Sequence, residues 1–162
     1  MTEFIYVKNG NPFMVVHDSI LIPCSPVYTE NDASNTILKK YTKLFPQGFG
    51  LYRLASQKNP ELGSVVLLEE NNDVLSHAPV FAFIELAWPT SSKLEWITRA
   101  FASIHNELKL RPWLTDIAIP HFQLGLSWDD ICKVLETELE GIRQLVYIYG
   151  PIPAHRRLKD QQ

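Results

Sequence analysis

Residues 116–149 read DIAIPHFQLGLSWDDICKVLETELEGIRQLVYIY, and this stretch decides the fold. Asp116 to Ile119 is a short apolar run stopped by Pro120, the pattern of a buried strand. Ser127 then stands as an N-cap, with Asp130 three residues on in a short variant of the capping box. Ile131, Val134, Leu135 and Leu139 recur at helical spacing, and Gly141 ends the helix. Leu145 to Tyr149 follows as a second strand. Strand, helix and strand in this order form the unit of sheets that carry helices on their faces.

The pattern continues outward from there. Leu94, Ile97, Phe101, Ile104 and Leu108 recur at spacings of three, four, three and four, which predicts a helix. Ser64 to Leu68 and Pro79 to Leu86 are near-continuously apolar, as strands covered on two faces are. Phe4 to Val7 alternates as a first strand, and Phe13 to Val16 and Ile20 to Cys24 are short β-rich runs. A polar loop, Ser25 to Asn35, leads to a helix from about Ala33 to Leu44, which Phe45-Pro46 ends. The tail, Pro151 to Gln162, is polar and expected to fray. The reading is one α/β domain over residues 1–150, with a mixed or mostly parallel sheet, followed by a polar tail over 151–162.

Composition narrows the function. The 162 residues carry 15 Lys and Arg against 18 Asp and Glu, a formal charge of -3 that advertises no nucleic-acid surface. Cys24 and Cys132 make neither a disulfide framework nor a metal spacing. His17, His77, His105 and His155 lie far apart, so loop or surface positions are expected and no metal or cofactor is implied. The longest apolar run, Ala78 to Ile84, is too short to cross a bilayer, and a soluble, cytoplasmic protein is expected. No P-loop, His-Glu-x-x-His or Gly-x-Ser-x-Gly motif occurs.

Several segments together resemble a macro domain, the fold that binds ADP-ribose, and within it the DNA ADP-ribosyl glycohydrolase antitoxin type. They are Tyr6-Val7-Lys8 with Gly10-Asn11, Asp18 to Ser25, Phe45-Pro46 with Phe49 and Tyr52, and Gly63 before Val65-Val66. Ser92, Leu94, Glu95 and Ile97 continue the likeness. So do Ile117-Ala118-Ile119-Pro120 with Trp128 and Val134, and Val146 to Tyr149. The resemblance covers residues 4–150 and implies a three-layer α/β/α domain with a mixed central sheet flanked by helices. It also implies ligand binding in the loops after the strands.

The departures from the family pattern fall on its chemistry. Ser25 stands where the resemblance implies an asparagine, and Ser34, Asn35 and Thr36 stand where it implies a Gly-x-Gly loop. The second glycine-rich loop is reduced to His121-Phe122-Gln123-Leu124-Gly125-Leu126-Ser127 and keeps only Gly125. Glu85 and Leu86 lie where some hydrolase relatives have a lysine, and no aspartate precedes Trp128.

Ser25, Ser34, Asn35, Thr36 and His121 to Gly125, with Asn11 and Tyr149, are the ligand contacts that the resemblance implies; several also have a plainer reading. Asn11 is a turn residue or a contact to the adenine ring. Tyr149 is a strand end or a contact to the distal ribose or adenine. His121 is an idle loop residue or an acid–base group near neutral pH. Glu85 is read as a strand-end residue reaching solvent, with a perturbed functional carboxylate as the alternative. Cys24 reads as small buried core.

Three functions follow. The first is binding of ADP-ribose or a modified or cyclic relative. The second is an ADP-ribosyl hydrolase or ADP-ribose phosphate phosphatase, with His121 or Glu85 as its catalytic base. The third is an inactive fold that binds a protein partner through exposed Trp88, Trp113 or Phe122.

Overall fold

The computed structural model describes residues 1–27, 36–69, 75–85, 93–122 and 124–160; the side chains of 36 and 158–160 lie outside that description. Among the described residues six strands are present: β1 (Phe4–Val7), β2 (Ser19–Cys24), β3 (Val65–Leu67), β4 (Ala78–Phe83), β5 (Asp116–Ile119) and β6 (Leu145–Tyr149). Among the described residues the helices are α1 (Thr36–Leu44), α2 (Gln47–Ser56), α3 (Leu94–Lys109), α4 (Trp128–Leu139) and α5 (Ala154–Asp160). The sheet runs β1-β6-β5-β2-β4-β3. All neighbours pair in parallel except β3, which pairs antiparallel with β4. The expected mixed sheet is therefore what forms.

The period-two alternation of the strands divides the core between two faces. Leu21, Val80, Ile117, Ile119, Val146 and Ile148 join Ile97, Phe101 and Ile104 of α3 and Ile131 and Leu135 of α4. Ile20, Ile22, Cys24, Phe81, Phe83 and Tyr149 join Leu38 and Tyr41 of α1 and Tyr52 and Ala55 of α2. Helices on both faces of one sheet give the three layers, and every residue of β2 and β4 is buried.

Several elements depart from the sequence reading, among them the apolar run read as Pro79 to Leu86, which forms a strand over Ala78–Phe83. Phe13 to Val16 is not a strand: Pro12–Met14 is a 3₁₀ turn, capped by Asn11 Oδ1 accepting the Phe13 N–H at 3.0 Å, and Val15 and Val16 are exposed. β3 is a three-residue edge strand, only half-buried at Val65 and Val66, and not a strand covered on two faces. Phe45-Pro46 ends α1 but also starts α2, with Pro46 at a helical φ of -56° as its N-cap. The tail expected to fray forms α5, whose Arg156 pairs with Glu136 of α4.

Candidate functional site at the carboxyl ends of the strands

Each parallel strand delivers its next residue to the same edge of the sheet. From β1 through β4, the sheet order sets Gly10-Asn11, Tyr149-Gly150, His121, Ser25 and Glu85 in one row. Residues separated by more than a hundred positions are thus gathered by topology. This edge is where α/β folds place ligands.

In the middle of the row, Ser25 is buried, and its carbonyl accepts a hydrogen bond from Tyr52 Oη of α2 at 2.6 Å. Its Oγ accepts the Val27 N–H at 3.2 Å, so the chain leaves β2 through a fixed turn. Beside it, Glu85 is only 2% exposed, which overturns the reading that it reaches solvent. The Glu85 N–H donates to the Cys24 carbonyl at 3.1 Å, extending the β2–β4 ladder by one residue and carrying the carboxylate inward. Burial pushes the Cys24 thiol well up, and the charge of Glu85 pushes it further. Cys24 is an inert core thiol, as the sequence suggested.

Toward β6, His121 stays exposed, with its ring edge-on to Trp128 at 4.7 Å. Gly150, at a φ of +130°, lies against it, and a Cβ there would fall 2.9 Å from His121 Cβ. Partial burial lowers the imidazole pKa from its ordinary value, which favours the neutral ring.

The loop that follows is anchored from below. Phe122 is buried against Trp128, which removes it as an exposed partner anchor, and Trp128 Nε1 donates to the Pro151 carbonyl at 2.9 Å. Leu124 and Gly125 both take positive φ, +52° and +79°. Glycine adopts that conformation freely, whereas leucine is strained in it, and strain of this kind gathers at ligand-binding segments. Ser127 Oγ accepts the Asp130 N–H at 3.4 Å and caps α4 as expected. Ser34, Asn35, Gln123 and Trp88 lie outside the described residues; Thr36 opens α1, its side chain outside the description.

At the β1 end, Asn11 is exposed beside Gly10, and Tyr149 is buried beneath them. Tyr149 Oη lies 2.7 Å from His17 Nε2, and His17 Nδ1 lies 2.8 Å from Asp116 Oδ2. Burial, then the nearby Asp116 and Tyr147, raise the Tyr149 pKa, so its hydroxyl stays protonated and donates. His17 and His77 are buried at 4% and 3% exposure, against the expectation of surface positions. Each offers a ring nitrogen to a tyrosine hydroxyl, Tyr149 for His17 and Tyr41 for His77, which explains how an imidazole tolerates the core. Among the described residues, no group of three or more His, Cys, Asp or Glu side chains is placed to hold a metal ion. No described helix is long and apolar enough to cross a membrane.

No family model and no curated protein matches the sequence. Solved structures do. The macrodomain of Thermus aquaticus DarG superposes with a TM-score of 0.78 at 15% identity, covering 93% of this chain and 100% of that one. The macrodomain of Mycobacterium tuberculosis DarG gives 0.77 at 15% identity, over 94% and 100%. Thermosipho africanus DarTG, solved in complex with ADP-ribose, gives 0.78 at 17% identity, over 94% of this chain and 42% of that one.

The fold is a macrodomain fold. At such low identity the likeness carries the backbone and not the side chains. On this macrodomain scaffold, the chain's own residues supply a buried serine turn, a buried carboxylate, an exposed neutral imidazole and a clamped tyrosine.

Proposed function

We propose that the protein binds ADP-ribose or a closely related nucleotide along the row from Asn11 to Glu85. One observation carries the reading: the macrodomain fold brings Asn11, Tyr149, His121 and Ser25 to a single edge, although they lie far apart in sequence. The co-structure of DarTG with ADP-ribose, on the same fold, supports this ligand class. Asn11 and Tyr149 take the adenosine end. The backbone of Leu124-Gly125 and the capped start of α4 face the phosphates, where amide N–H groups and the helix dipole favour negative charge. Ser25 lies under the distal ribose.

His121 favours a second reading. An exposed, neutral imidazole at this edge is equipped to take a proton from a water attacking the anomeric carbon. Hydrolysis of an ADP-ribosyl bond is therefore the activity to assay once binding is established.

A thermal-shift panel of ADP-ribose, its phosphorylated and cyclic relatives, NAD, AMP and ATP tests the binding. Ligand at about a hundredfold above Kd adds roughly 2.7 kcal/mol, a rise of a few degrees for a domain of this size. The expected result is a shift confined to ADP-ribose and its relatives. No shift with any of them overturns the reading. Turnover of an ADP-ribosylated substrate that disappears in His121→Ala would establish the second reading.

A further inference from the structure

We propose that His17 and Asp116 are positioning residues for the adenosine end of the site, acting through Tyr149. The inference rests on the nucleotide-binding reading above and adds to it two residues that line no loop of the row.

The three side chains form one buried chain of hydrogen bonds. Asp116 opens β5; its Oδ1 accepts the Asp18 N–H at 2.6 Å and its Oδ2 faces His17 Nδ1 at 2.8 Å. A carboxylate accepts, so Nδ1 carries the proton, and Nε2 is left to accept from Tyr149 Oη at 2.7 Å. Ser19 Oγ donates to the Asp116 carbonyl at 2.7 Å, which ties the base of the chain to β2. Both oxygens of Asp116 and both nitrogens of His17 are therefore engaged.

Ring contacts fix the same arrangement. The imidazole lies 5.0 Å from the Tyr147 ring and edge-on to Tyr149 at 5.7 Å. The chain starts at the amino end of β5 and finishes on the tyrosine that ends β6. It reaches from the far side of the sheet to the edge where ligand would bind.

What it holds there is the support of the Gly10–Asn11 turn. A Cβ on Gly10 would lie 3.3 Å from Tyr149 Cε1, so the turn rests directly on that ring. Asn11 Oδ1 is already turned back to the Phe13 N–H, which leaves the turn with one orientation above the ring. A phenylalanine at 149 would fill the same space and need no partner. The chain instead commits a carboxylate, an imidazole and a hydroxyl to the interior, where each must be satisfied. The return on those three polar groups is a ring that cannot swing.

Two measurements on the whole chain test this together. NMR Hα–Hβ couplings read whether the side chain at 149 holds one χ1 rotamer or averages over several, and calorimetric titration with ADP-ribose reads the affinity of wild type, His17→Gln, Tyr149→Phe and the double variant. In wild type we expect a single rotamer; in both single variants we expect rotamer averaging and ADP-ribose binding about tenfold weaker, the size of one net hydrogen bond. The double variant should be no worse than the worse single, because both changes break the same bond. Melting temperatures show whether each variant folds; should His17→Gln not fold, Tyr149→Phe carries both measurements alone.

A single unchanged rotamer in both variants overturns the clamp. Rotamer averaging with unchanged affinity overturns the positioning role and leaves the site standing. A wild type that does not bind ADP-ribose removes the nucleotide site itself, and the positioning role with it.

Discussion

His77 shows how one side chain ties this fold to pH. It is buried, with Nε2 2.6 Å from Tyr41 Oη and its ring edge-on to Phe45 at 4.8 Å. Burial lowers its pKa from 6.5 to about 4. The unfolded chain protonates this ring near its ordinary value, whereas the fold resists until about pH 4. Below the unfolded value the unfolded state therefore binds the extra proton, and stability falls as pH falls. The contribution is full above about pH 6.5 and is lost progressively down to about pH 4, a total on the order of 3 kcal/mol. Urea midpoints at about pH 7 and about pH 4 should show this loss, and His77→Gln, which keeps an acceptor but does not titrate there, should flatten it. An acid slope that survives the substitution would assign the effect to other groups.

Among the elements, α5 rests on a cluster of charged side chains around Glu136. Glu136 of α4 accepts hydrogen bonds from Tyr6 Oη at 2.7 Å, His155 Nε2 at 2.6 Å and Arg156 Nε at 2.6 Å. Burial alone would raise the carboxyl pKa, but these bonds from Tyr6, Arg156 and His155 outweigh it and hold the pKa below its usual value. The Arg156 guanidinium also lies over the rings of Phe4 and Tyr6, at 5.9 and 5.5 Å. Arg156→Met keeps the apolar stem and removes the charge, so α5 should lose hydrogen-exchange protection, with a cost of about 1–3 kcal/mol. Unchanged protection over 154–160 would show that apolar packing alone holds the helix.

The sequence announced some elements and concealed others, for physical reasons. β1, β5 and β6 stand at the bounds their short apolar runs suggested, because proline, glycine or polar residues punctuate them. α2 was invisible because Pro46, Gly48 and Gly50 read as breakers; it stands because Tyr52 and Ala55 are buried in the core. α5 was hidden because its docking depends on partners in β1 and α4 that a polar tail does not reveal. The site divides in the same way. Ser25, His121 and Tyr149 were legible as residues that end or follow strands. The His17–Asp116 pair was not, since 99 positions separate two residues that only the parallel β2–β5 pairing brings together.

At the scale of the whole molecule, Phe101 and Tyr52 stand on opposite faces of the sheet and at different distances from the candidate site. Phe101 is buried among apolar side chains between α3 and the sheet, whereas Tyr52 on the opposite face sends its hydroxyl to the Ser25 carbonyl at the candidate site. Stability and binding should therefore separate between these two residues. Phe101→Ala opens a cavity and should cost about 3–5 kcal/mol, while ADP-ribose affinity at a temperature where the variant is folded stays within about twofold. Tyr52→Phe removes one oxygen and no apolar area, so it should cost only about 1–2 kcal/mol. That hydroxyl is what holds the Ser25 carbonyl, so the same substitution should weaken ADP-ribose binding about tenfold. Melting temperature and Kd measured on both variants decide it. The larger loss of stability should accompany the smaller loss of affinity, because Tyr52 is hydrogen-bonded directly to Ser25 in the row of residues that ends the strands, whereas Phe101 packs among apolar side chains between α3 and the sheet. If affinity instead tracks stability in both variants, the two faces act as one cooperative body, and Ser25 owes its position to the fold as a whole.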